Sequence, residues 1–116
     1  MKKLIILSLA LYLVGCAASK KTTEAGLSQK DVDRVQDKFP GFTLAELNEG
    51  KALYEKHCGT CHGLKPLDGQ TEEGWRNIVP PMVKKANRKE GNVIDERGED
   101  LILKYVVTMG PAKAGK

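Results

Sequence analysis

Aromatic side chains are scarce in this chain of 116 residues, which has two Phe, three Tyr and one Trp. A small domain has a thin core to begin with, and so few large side chains make it thinner unless another large apolar group fills it. The longest apolar run, residues 4–14, is too short to cross a bilayer as a helix. No internal repeat is present, and no alternating apolar and polar run reads as a strand, so the elements expected are helices. Histidine occurs only as His57 and His62, and cysteine only as Cys16, Cys58 and Cys61. The formal net charge is +4, a small excess that argues against nucleic acid as a partner.

Both histidines and two of the three cysteines fall in one stretch, His57-Cys58-Gly59-Thr60-Cys61-His62. Cys-x-x-Cys-His is the attachment motif of a c-type haem. Two thiols at this spacing can each add to one of a porphyrin's vinyl groups, and the next residue, His62, then falls under the iron as its proximal ligand. Small Gly59 and Thr60 let the backbone lie close to the macrocycle. One tetrahedral zinc site made from four donors within six residues is geometrically awkward. A thiol redox site would call for a surrounding βαβ pattern, and none is visible. A single covalent haem also supplies the large apolar group that the aromatic count leaves missing, and its propionates would bring the net charge towards neutrality.

The chain starts Met1-Lys2-Lys3, runs apolar, and reaches Gly15-Cys16, so residues 1–15 read as an export signal. Leu13-Val14-Gly15-Cys16 resembles the lipobox of bacterial lipoproteins, in which the Cys becomes the lipidated N-terminus. The odd cysteine of an exported protein needs a use, and lipid attachment at Cys16 provides one. Two or three acyl chains would hold the protein stably at a membrane, whereas one is marginal. The alternative is an ordinary secretory signal that leaves Cys16 as a spare thiol. Ala17, where some such lipoproteins carry an inner-membrane-retaining Asp, favours the outer membrane, with the domain facing the periplasm.

Residues 16–27 read as a lipidated flexible tether. Residues 28–42 read as a short helix, N-capped by Ser28 and running through Lys38, then a turn at Pro40-Gly41 flanked by Phe39 and Phe42 that pin the segment to the domain. Residues 43–110 form the haem domain. Thr43 to Glu46 is a capping box opening a helix that delivers the chain into Cys58, and Gly50 inside it marks a close crossing by the last helix. Carbonyls around Pro66 are expected to accept from His62. A helix starts at Thr71-Glu72-Glu73, with Trp75, Ile78, Val79 and Met82 on one face, and Pro80-Pro81 is expected to kink or restart it. Residues 84–97 read as a solvated turn or loop, the final helix as starting at Glu99 or Asp100 and stopping at Gly110-Pro111, and residues 111–116 as a frayed tail.

The haem's role turns on its sixth ligand, because a Met thioether saturates the iron and favours electron transfer over oxygen chemistry. Met82 and Met109 are the mature candidates. Met82 is preferred, sharing a face with Trp75 just after the double proline, while Met109 reads as core filling on a packing helix. His57 is badly placed for the opposite haem face and reads as a surface or helix-terminus residue. Trp75 reads as a wall of the haem pocket.

The stretch GKALYEKHCGTCHGL, the TEEGWRNIVPPM helix and the closing LILKYVVTM helix together resemble a small class I cytochrome c domain over residues 43–109. The resemblance implies an all-α fold of four or five short helices around one covalent haem c, N- and C-terminal helices crossing near Gly50 and Tyr105, His/Met ligation, and one-electron transfer rather than enzymatic catalysis. Many members place the Met in a loop just before the final helix, and this chain has none there; shorter relatives use the position that is Met82 here. Partners expected are periplasmic redox proteins or a membrane oxidoreductase; Lys56, Lys65 and Lys84 read first as a solvated face, and alternatively as steering an acidic partner. Rival readings are a five-coordinate haem protein acting as gas sensor or peroxidase, a thiol–disulfide lipoprotein, and a fixed subunit of a larger oxidoreductase.

Overall fold

The computed structural model describes residues 26–59 and 63–115. The expected signal, most of the tether, Cys16, Cys61 and His62 lie outside the described residues. Among these the structure is all-helical: α1 (Gln29–Asp33), α2 (Leu44–Leu53), a π-helical turn (Tyr54–Cys58), a 3-10 turn (Leu67–Gly69), α3 (Glu72–Glu90), α4 (Glu96–Met109) and α5 (Pro111–Ala114). None of these helices is long and apolar enough to cross a membrane.

The helix starts are set by local chemistry. Thr43 accepts a hydrogen bond from the Glu46 amide (3.2 Å) while the Glu46 carboxylate accepts from the Thr43 amide (3.0 Å), a reciprocal box that begins α2 where the sequence placed it. Thr71 begins α3 by accepting from the Gly74 amide (3.0 Å). The capping box at Ser28 forms too, but α1 ends at Asp33 rather than Lys38. Beyond it the amides of Val35, Gln36 and Lys38 bond three residues back, a tighter winding that carries Phe39 inward. Phe39 meets Phe42 edge-on at 6.0 Å, with the Lys104 ammonium 5.8 Å from both ring centres.

Four further expectations are corrected in the second half. Pro80 and Pro81 do not restart the helix: α3 runs unbroken through both. Each proline removes one ladder bond and costs about 3 kcal/mol. The orphaned carbonyls belong to Arg76 and Asn77, both exposed, where water can satisfy them. The opposite face buries Trp75, Val79, Val83 and Ala86, each worth roughly 1–3 kcal/mol, which offsets the loss. Residues 84–90 are therefore helix, not loop. Asn87 secures the turn that follows, donating to the Ile94 carbonyl (2.8 Å) and accepting from the Ile94 amide (2.9 Å). α4 starts three residues earlier than expected because Asp95 caps it, accepting from the Gly98 amide (2.7 Å). The tail is also more ordered than expected, since Pro111 is buried and opens α5.

The α2–α4 crossing is the centre of the core. A Cβ on Gly50 would run into the Leu101 carbonyl and come within 2.9 Å of the Tyr105 Cβ, so the two helix backbones touch there. Beside the crossing the Arg97 guanidinium straddles the Glu49 carboxylate at 2.5 and 3.0 Å. α1 packs on the far end of α4, where Arg34 donates to the Thr108 carbonyl (3.4 Å). The Thr108 hydroxyl is fully buried and, among the described residues, has no hydrogen-bond partner. Thr108→Val is expected to stabilise the protein by about 1 kcal/mol, because it removes an unsatisfied buried group at nearly constant shape. Urea denaturation of both proteins measures this, and a variant of lower midpoint refutes it.

Candidate functional site

α2 does not simply stop before the motif. Its last turn widens into the π-helical turn, an irregularity that recurs at functional sites, and this turn carries Cys58 into the core with only 7% of its surface exposed. Burial, and then the charge of Glu90, push the Cys58 thiol up to about 11.

The chain after the motif folds back over this turn. Leu64 covers Gly59, whose added Cβ would meet the Leu64 side chain at 3.2 Å. Tyr54 donates its hydroxyl to the Lys65 carbonyl (3.1 Å), and burial pushes that phenol up to about 12, with Cys58 and Tyr105 adding to the effect. Trp75, completely buried, donates its indole N–H to the Leu67 carbonyl (3.1 Å) and stands edge-on to Tyr54 at 6.2 Å. Gly110 lies against the same Leu67 carbonyl, where any side chain would collide. The expected meeting of His62 with carbonyls around Pro66 falls outside the described residues. Those of Lys65, Pro66 and Leu67 already accept from Tyr54, Gly69 and Trp75.

α3 packs along the π-helical turn and is fastened to it at both ends. Trp75 meets Tyr54 near the helix start, and Glu90 meets His57 at its last residue. Between these fastenings lie Ile78 and Met82, both half-buried against the core that includes Cys58. Met109 is also half-buried, at the end of α4.

His57 requires a correction. It lies at a helix terminus, in the last turn before Cys58, but it is not a surface residue: its side chain is 5% exposed and its Nδ1 lies 2.6 Å from a Glu90 carboxylate oxygen. An ionised carboxylate only accepts, so the imidazole donates. Glu90 had no signal in the sequence, since a pairing across 33 positions leaves no local pattern.

These features suit a covalently held porphyrin. A buried sulfur sits at a helix end, half-buried Ile78 and Met82 pack against the core that includes it, exposed Leu64 covers the neighbouring Gly59, and the following loop is tied down by two aromatic hydrogen bonds. The residues present fit haem c.

Residues 47–114 match the family described as Cytochrome c. The chain is 25% identical to a cytochrome c1 of Rhodobacter capsulatus over 117 aligned positions, covering 99% of this chain and 41% of that protein. It is 30% identical to a cytochrome c-550 of Gloeobacter violaceus over 77 positions, covering 60% of this chain and 44% of that protein. The chain thus spans less than half the length of the curated relatives it matches. No solved structure matches it. A cysteine buried at a helix end within an all-helical domain, in a chain whose greater part matches one family, leads to one assignment: the chain belongs to the cytochrome c family, as a class I monohaem domain whose cofactor is a single covalent haem c.

Proposed function

We propose that this protein is a membrane-anchored one-electron carrier facing the periplasm, exchanging electrons with periplasmic redox proteins or a membrane oxidoreductase. Cys58 and Cys61 form the two thioethers, His62 is the proximal ligand, Met82 is the sixth ligand in preference to Met109, and Trp75 is a wall of the pocket. Residues 1–15 are removed on export, Cys16 carries the lipid, and residues 16–27 tether the domain. The observation that carries the reading is the Cys58-to-His62 motif, whose first cysteine sits at the buried end of a helix in a cytochrome c domain.

Bound haem supplies a metal centre that cycles between ferric and ferrous without bond making. The chain's own residues hold it and exclude water. Burial around Cys58 keeps the attachment edge in a low-dielectric setting. Tyr54 and Trp75 fix the loop after His62 through their bonds to the Lys65 and Leu67 carbonyls. Exposed Lys56, Lys65 and Lys84 steer an acidic partner.

The test is the absorption spectrum of the mature protein, oxidised and reduced, together with haem staining after denaturing electrophoresis. A low-spin spectrum and a stained band are expected, and the stain is expected to be lost in a Cys58→Ala, Cys61→Ala double variant. A colourless protein with reactive thiols overturns the reading. A high-spin ferric form that binds CO rapidly on reduction replaces it with the five-coordinate alternative.

A further inference from the structure

We infer that the Glu90 carboxylate, held by the buried His57 against the turn that carries Cys58, sets the reduction potential of the haem as a fixed negative charge favouring the oxidised iron. The inference rests on haem attachment at Cys58.

Glu90 is an unexpected residue at its position. It is the last residue of α3, where the carbonyl end of the helix dipole disfavours an anion and favours the cations that precede it, Lys84, Lys85, Arg88 and Lys89. Local helix chemistry gives no reason for a carboxylate there. Tertiary structure does: the side chain is 24% exposed and reaches His57, which is buried and adjacent in sequence to Cys58.

The carboxylate is also felt at the site. After burial, its charge is the other cause that raises the Cys58 thiol. Placing a negative charge on that sulfur and adding an electron to a group attached through it are opposed by the same field, so one observation predicts the sign of the other. Besides Glu90 itself on α3, the charged residues next to the pair in sequence are Lys56 and Lys89, both exposed. One electron from a reduced redox partner converts ferric to ferrous iron, with no bond formed or broken. The carboxylate makes that step less favourable, and its loss makes it more so.

The experiment is a redox titration of the purified mature holoprotein and its variants, with spectra first confirming covalent haem in each. Glu90→Gln keeps size and hydrogen bonding but removes the charge. It is expected to raise the ferrous-to-ferric ratio at fixed poise roughly three- to tenfold, an upward shift of about 30–60 mV. Glu90→Asp, which keeps the charge, is expected to stay near wild type. Lys89→Glu, at an exposed neighbouring position, is expected to shift the midpoint downward, and keeps the test open if Glu90→Gln does not accumulate. A midpoint unmoved in Glu90→Gln or in Lys89→Glu, or an upward shift as large in Glu90→Asp as in Glu90→Gln, overturns the inference. A purely structural role would lower thermal stability without this ordering of potentials. Failure of the haem assignment is seen separately, as a colourless wild-type protein before any variant is compared.

Discussion

Gly50→Val is expected to remove about 3 kcal/mol or more of the protein's stability, a large part of the roughly 5–15 kcal/mol that holds a domain together. The reason lies in the crossing of α2 and α4. At Gly50 the facing atoms are the Leu101 backbone and the Tyr105 Cβ, none of which is the far end of a flexible side chain that could swing aside. A side chain there must push the helices apart. That separation would unpack fully or nearly fully buried Leu47, Leu101 and Tyr105 and strain the Arg97–Glu49 bridge next door. Overpacking a core with even a few methylenes costs about 1–3 kcal/mol, and here the obstacle is backbone. Gly50→Ala gives a sharper test. On helix propensity alone it should gain about 1 kcal/mol, so a net loss of about 2 kcal/mol measures the contact directly. Denaturant midpoints of the two variants and the wild-type holoprotein decide it. An alanine variant as stable as wild type would show that the helices do not touch at this point.

That crossing was legible from sequence because a glycine inside an otherwise good helix carries a cost with no local gain, which points to a neighbour. The motif from Cys58 to His62 was legible for a different reason: attachment chemistry fixes the residue types and their spacing at once. The N-cap at Ser28 and the capping box at Thr43 were equally plain, since the signals lie within one turn. The extent of α3 was hidden by its composition. Lys84, Lys85, Arg88 and Lys89 turn outward while Val83 and Ala86 continue the buried stripe, and in a linear reading the charges dominate. The two prolines reinforced that error, because their local penalty is obvious and the burial that outweighs it is tertiary. His57 shows the same limit. Its burial depends on Glu90 at the far end of another helix, and nothing near position 57 announces a partner.

α3 consequently does more than carry the candidate ligand Met82. By reaching Glu90 it spans the π-helical turn from Tyr54 to His57, so the segment carrying Cys58 is gripped from both ends. A helix broken at the prolines would lose the second grip. This continuity also bears on the sixth ligand, because Met82 lies on the stretch of α3 held between the two contacts, two turns from Trp75 on the same stripe. Met109 lies on α4, whose neighbours are α1, α2, α3, α5 and the Leu67 turn.

Met82→Ala is therefore expected to leave the haem attached and to change its ligation. Covalent attachment depends on the two cysteines, so the stained band on a denaturing gel persists. Loss of the thioether is expected to abolish the weak far-red sulfur-to-iron band, to let the reduced protein bind CO rapidly, and to lower the midpoint potential by on the order of a few tenths of a volt, since axial ligation spans about 0.8 V across haem proteins. The cost to folding is expected to be modest, because Met82 is only half-buried and its removal opens a cavity that water or a small ligand can enter. Met109→Ala is the matched comparison. Half-buried like Met82, near the end of α4, it is expected to cost a similarly modest amount of stability with little change in spectrum. A far-red band surviving in Met82→Ala and lost in Met109→Ala would reverse the assignment. A wild-type protein that lacks the band altogether would open the sixth site and turn an electron carrier into a protein able to bind small ligands at iron.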